Sequence, residues 1–202
     1  QEGMSYSLQW VDRWSASVAD YLLPNPVNAL WGGATTRFYA GQRYFYERIL
    51  ALGYAPLALA GVAIWRARRG EVSGEVWRRT SAAFLWMGGF AFVLSLGTTW
   101  HWRDVEPVHI SVPAGVDRLF DRVMFNLVTR FAWNRGAYYW GYQKAGHIVL
   151  PLPALLFYLY LPFSNAMRVW SRFGLFVLFV VAALAGKGVA MLQAERRWRV
   201  VA

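Results

Sequence analysis

The chain contains no cysteine. That excludes disulfides, zinc–thiolate sites and thiol nucleophiles. Acidic residues are scarce as well, since 11 Asp and Glu stand against 21 Lys and Arg and leave a net charge of +10. No nucleic-acid reader motif accompanies that charge. The basic residues instead flank apolar runs and interleave with Trp, Tyr and Phe, which suits membrane headgroups, so nucleic acid is not an expected partner. There is no internal repeat and no low-complexity tract. His101, His109 and His147 lack the i, i+4 spacing of a helical metal site and have no acidic partner motif, so neither a metal nor a cofactor is expected. They read as capping or interface histidines. The glycine pairs Gly32-Gly33 and Gly88-Gly89 are not phosphate loops. The opening residues show no basic stretch followed by an apolar run, so no signal peptide is expected. Because the chain starts at Gln1 rather than Met, it is expected to be a downstream fragment of a longer protein.

What the chain does have is charge sorted by position. Its 57% hydrophobic content and mean hydropathy of +0.26 exceed the roughly 45–50% apolar content of soluble domains. Residues 49–65 are uncharged and lead into Arg66, Arg68 and Arg69, and residues 173–192 lead into Arg196, Arg197 and Arg199. A third run, 80–100, closes on Trp100 and Trp102, as an aromatic belt would. Lys187 is close enough to the end of its run to snorkel toward the Arg196 cluster. These patterns predict an all-α, polytopic integral membrane bundle of about three transmembrane helices, with amphipathic and interfacial helices on the outer face.

A fourth uncharged run, 145–167, contains Pro151, Pro153 and Pro162. Each proline removes a backbone donor that lipid cannot replace, so a straight span is disfavoured and 148–164 is expected to be a short interfacial or re-entrant segment. With three spans, the basic loop 66–79 and the basic tail share one side, and the positive-inside rule makes it cytoplasmic. The expected organisation is an outer-face segment over 1–45, a transmembrane hairpin over 46–102, a second outer-face region over 103–170, and a final span with a cytoplasmic tail over 171–202. Between them, Val116, Leu119, Phe120, Val123, Leu127, Val128 and Phe131 recur at helical spacing, opposite Asp117, Arg118, Arg122, Asn126 and Arg130. An amphipathic helix over 114–131 follows, entered from Pro113 and lying on the membrane or on the bundle. Gly88-Gly89 and the small residues of 182–190 read as sites of close helix packing. No span carries a central acidic residue, which argues against a transporter.

Three stretches together resemble a known family. These are YSLQWVDRWSASVADYLLPNPVNALWG (6–32), FVLSLGTTWHW (92–102) and LPFSNAMRVWSRFGLFVLFVVAALAGKGVA (161–190). In order, they are similar to the later part of polytopic bacterial membrane proteins related to GT-C glycosyltransferases, the YfhO-like proteins among them. The resemblance implies a many-helix membrane domain that moves a sugar from a polyprenyl-phosphate donor to an acceptor on the outer face of the inner membrane. The acidic residue essential to such enzymes belongs to a first outer loop with no counterpart here, so the resemblance leaves the catalytic residues unassigned and upstream. The other expected class is a non-enzymatic subunit that packs against partner subunits in a larger membrane assembly.

Candidate binding residues follow from side-chain chemistry. Asp20 precedes Pro24 and Pro26, whose fixed backbone could hold the carboxylate to bind sugar hydroxyls or to help deprotonate an acceptor; capping, or pairing with Arg13, is the structural alternative. Arg168 and Arg172 are spaced i, i+4, and two guanidinium forks on one helix face could clamp the phosphates of a lipid-linked sugar, or anchor headgroups. Aromatics outside the spans, Trp14 and Trp31 among them, could stack on carbohydrate or serve the membrane interface. Membrane lipids are expected partners in either case.

Overall fold

A computed structural model describes residues 8–40, 49–70, 75–102, 107–127, 144–162, 164, 167 and 169–201. In chain order the elements are α1 (Leu8–Arg13), α2 (Val18–Leu22), α3 (Gly32–Tyr39), α4 (Tyr54–Arg68), α5 (Glu75–Ser95), β1 (His109–Ser111), α6 (Ala114–Asn126), β2 (His147–Val149), α7 (Pro153–Tyr160), a 3-10 turn (Trp170–Phe173) and α8 (Gly174–Val201). The chain is mostly helical, as its composition predicts.

Helices α4, α5 and α8 form a layer with α8 packed against both others. Several contacts fix the directions. Val180 of α8 lies against Gly88 of α5, Phe179 against Phe84, and Lys187 over the ring of Trp77, so α5 and α8 are antiparallel. Leu50, just ahead of α4, lies beside Gly174, and the Leu59 backbone lies beside Gly188, so α4 runs parallel to α8. The α4–α5 connection and the last turns of α8 therefore share one end of the layer. Gly188 admits no side chain, because a Cβ there would collide with the Leu59 carbonyl. Close approach at Gly88 and Gly188 matches the small-residue packing expected of both stretches, whereas Gly89 faces open space.

Among the described residues, one helical stretch, Trp170–Ala194, is long and apolar enough to cross a membrane, with 25 residues and a mean hydropathy of 2.3. At about 1.5 Å per residue it exceeds a hydrocarbon core of about 30 Å. The other two expected spans are both helical. However, α4 has 15 residues and reaches only about 22 Å at that rise. Helix α5 has 21 but begins in the charged Glu75-Val76-Trp77-Arg78-Arg79.

The opposite end of the layer carries a head built from α1, α2, α7, the 3-10 turn and α6. Its core joins Leu8, Val11, Leu94, Met124, Val149, Leu155, Tyr158, Leu159 and Trp170. Pro153 sits in the first turn of α7, where the missing N–H would have had no helical partner anyway. The prolines of 148–164 thus bound a short helix instead of interrupting a long one. One face of it, Ala154, Leu155, Tyr158 and Leu159, is buried in the head rather than turned to lipid.

Two details differ from the all-α expectation. Strands β1 and β2 pair antiparallel, with His109 opposite Val149 and Ser111 opposite His147. Three-residue strands are too short to show alternation, and here the pairing is imposed by contacts distant in sequence. The amphipathic helix α6 starts after Pro113 as expected, but its apolar residues divide. Phe120 and Leu127 pack inward beside buried Met124, while Val116, Leu119 and Val123 are exposed. Residues 128–131 of the expected helix lie outside the described residues.

Candidate functional site

Asp12 is a fully buried carboxylate of the head. Helix α5 ends at Ser95, and Gly97 follows with φ of 82°, a left-handed conformation that glycine adopts without strain. That turn aims Thr98 and Thr99 at α1. The Oδ1 atom of Asp12 accepts hydrogen bonds from the Thr98 amide (2.8 Å), the Thr98 hydroxyl (2.8 Å) and the Thr99 amide (3.3 Å). Its Oδ2 accepts from the Thr99 hydroxyl at 2.7 Å. A Cβ at position 97 would run into Ser15, whose hydroxyl donates to the Val11 carbonyl at 2.8 Å.

His101 is buried beside this network, with Nδ1 3.1 Å from the Thr99 carbonyl. A carbonyl only accepts, so Nδ1 carries the proton, and Nε2 is buried without a hydrogen-bond partner among the described residues. Burial pushes the Asp12 carboxyl above its ordinary value, against the opposing pull of His101 and of the threonine hydrogen bonds. Burial, with a contribution from the Asp12 charge, also pushes the fully buried Tyr158 phenol up to about 12.

Asp20 lies one step along the same segment. Its Oδ2 accepts from the backbone N–H and the hydroxyl of Ser17 at 2.7 and 2.9 Å, and its Oδ1 from the Tyr39 hydroxyl at 3.3 Å. This is the capping alternative, and it leaves the carboxylate 1% exposed. Next to it, the Tyr21 hydroxyl and Ser95 Oγ are 2.5 Å apart, and burial pushes the Tyr21 phenol up to about 12. Backbone bonds tie these elements together. The Ala16 amide donates to the Ser95 carbonyl (2.8 Å), the Leu50 amide to Asp20 (3.0 Å) and the Ser171 amide to Trp14 (3.2 Å).

Of the other residues singled out in the sequence, Trp14 is buried in the head, while Trp31 and Arg172 are exposed. Arg168 lies outside the described residues. Arg172 sits in a 3-10 turn, one residue after the amide that bonds Trp14, so it belongs to the rim of the same head. The sequence marks His101 only as a capping or interface histidine, and nothing local joins α1 to a turn 86 residues away.

The network can hold three chain segments in register. Asp12 has no solvent-exposed surface through which a substrate could reach it. Among the described residues no three His, Asp or Glu side chains gather to hold a metal ion. The rings of His109 and His147 meet edge to face at 6.2 Å between centroids. No family model, no curated protein and no solved structure matches this chain.

Proposed function

We propose that this chain is part of a polytopic bacterial membrane protein of the GT-C-like, YfhO-like kind. In this reading it handles a polyprenyl-phosphate-linked sugar on the outer face of the inner membrane. Helices α4, α5 and α8 cross the bilayer with their basic ends in the cytoplasm, and the head lies outside. One observation carries the reading: the three stretches behind the resemblance, far apart in sequence, meet at a single joint through Asp12 with Thr98 and Thr99, Ala16 with Ser95, and Trp14 with Ser171. A shared ancestral scaffold accounts for motifs that pack against one another. The exposed Arg172 and Trp31 on the head would then face the donor phosphate and the sugar.

A second reading, a non-enzymatic subunit of a larger membrane assembly, is favoured by a different observation. Asp12 and Asp20, the carboxylates of the described N-terminal segment, are both buried and engaged in holding the fold. One experiment separates the two. The double variant Arg168→Ala/Arg172→Ala, at unchanged membrane level, is expected to weaken polyprenyl-phosphate binding at least tenfold. Unchanged binding removes the donor assignment and leaves the subunit reading. Sidedness is checked by single cysteines placed in a chain that has none: Gly70→Cys should react only after the membrane is permeabilised, and Asn28→Cys in intact cells. The reverse pattern overturns the orientation.

A further inference from the structure

At the basic end of the layer, α4, α5 and α8 leave a cavity of about 250 Å³ between them, lined by Ala63, Ile64, Ala67, Ala82, Leu85 and Leu184, with Arg68, Trp77 and Ser81 as its polar members. It is far from the head, and neither the head network nor the donor assignment uses it. The volume falls below the roughly 300–1,000 Å³ of cavities that enclose a drug-sized molecule, so it suits a stretch of one hydrocarbon chain.

The polar features of the cavity all favour a negative ligand group. Among the described lining residues none is a carboxylate, and Arg68 is one of them. The Lys187 ammonium lies 5.0 Å above the Trp77 ring, which holds a second positive charge beside the cavity. The Trp77 indole N–H is buried and has no hydrogen-bond partner among the described residues. A buried donor left unmatched is costly, and an acceptor oxygen supplied by a ligand would satisfy it. A ligand with an apolar tail and an anionic, oxygen-rich head matches the small apolar walls, the two cations and the orphan donor together.

We propose that this cavity is a binding site for an anionic phospholipid of the membrane leaflet at the basic end. One acyl chain would enter between Ala63, Ala82 and Leu184, with the phosphate at Arg68, Lys187 and the Trp77 indole. The proposal rests on α4, α5 and α8 lying in a bilayer.

The test is native mass spectrometry of protein extracted in mild detergent from vesicles of equal phosphatidylglycerol and phosphatidylcholine. Wild type is expected to retain one phosphatidylglycerol in at least fivefold preference. Ala82→Leu, which fills the cavity from its exposed rim, should abolish retention. Arg68→Gln/Lys187→Gln should erase the preference between the two lipids. Excess inorganic phosphate should not displace the lipid. Equal retention of both lipids by wild type, undiminished retention in Ala82→Leu, or displacement by phosphate alone would each overturn the site. Carbonate extraction beforehand separates the two levels of the argument. A protein washed off the membrane by carbonate contradicts the membrane reading itself, and a carbonate-resistant protein without lipid preference contradicts only the cavity assignment.

Discussion

In the head, large and polar side chains are buried side by side, among them Trp170, Tyr158, Leu155, His101, Thr98, Thr99 and Asp12. In the layer of α4, α5 and α8, apart from Val177, Val180, Leu184 and, at the head end of α5, Leu94, the buried residues are small, such as Ala60, Ala63, Gly88 and Gly188, while Trp86, Phe90, Leu175, Phe176 and Phe179 are exposed. The head is assembled as water-soluble cores are, with big apolar groups inside and each buried carboxylate surrounded by donors. The layer reverses this. Helices that associate in an apolar solvent gain little from hiding large apolar groups and more from backbones that approach closely over small residues. One chain thus carries two packing regimes, divided near the end of α5, and the Asp12 joint sits where they meet.

The sharpest way to break this comparison is to remove the head's central acceptor. In Asp12→Ala, two amides and two hydroxyls lose their acceptor in a closed site, and the expected loss is about 3–5 kcal/mol of stability. Thermal unfolding in detergent, followed by tryptophan fluorescence, measures it. A midpoint equal to wild type would mean that the joint does not hold the head to the layer.

The next largest effect belongs to the other regime. Phe179 of α8 is largely exposed and meets Phe84 edge to face, so in water Phe179→Arg would cost only that ring contact, about 1 kcal/mol. At the centre of a membrane helix the same change costs about 3–4 kcal/mol, because Phe is favourable there and Arg unfavourable. Reduced insertion of α8, read in a glycosylation or protease-protection assay, is the expected result. Normal insertion would place α8 in a polar environment and dissolve the contrast between the two regions.

How much of this was legible in the sequence follows the same division. The layer could be read, because apolar runs and flanking arginines are local signals and Gly88 stands out within its run. Its limits were less visible, since α4 stops at 15 residues where the uncharged stretch alone suggested more. The head was harder. Pro113 precedes the start of α6, and Pro153 stands in the first turn of the eight-residue α7. Yet the inward turn of Phe120 and the burial of α7 depend on partners far along the chain. Asp20 was recognisable as a capping group because its partner is three residues away. The partners of Asp12 lie some 86 residues on, and no spacing rule reaches that far.

Gly97 sharpens the comparison at intermediate strength. Its φ of 82° already disfavours any other residue, and a Cβ there would meet Ser15 and approach Asp12 Oδ1. Gly97→Ala is expected to cost about 1–3 kcal/mol from backbone strain, with crowding added. Gly89→Ala, in open space within the layer, is expected to be neutral or slightly stabilising. Equal midpoints for the two variants would show that the turn after α5 adapts more readily than a shared joint allows.

The gentlest perturbation is pH. Burial raises the folded-state value of Asp12 above the ordinary 3.8 that the unfolded chain retains, so the folded protein holds that proton more tightly. Below 3.8 both states are protonated and the contribution of the carboxyl is fully present. As pH rises the unfolded chain releases its proton first, and stability falls until the folded carboxyl has ionised as well, at about 1.4 kcal/mol for each unit of separation. His101 and Tyr158 face the same carboxyl, so the quantity to follow is the difference in unfolding free energy between wild type and Asp12→Asn. It should shift against wild type as pH climbs from 3.8 and then level off. A shift in the opposite sense would mean that the threonine donors and His101 outweigh burial, making the joint an ionised anchor rather than a protonated one.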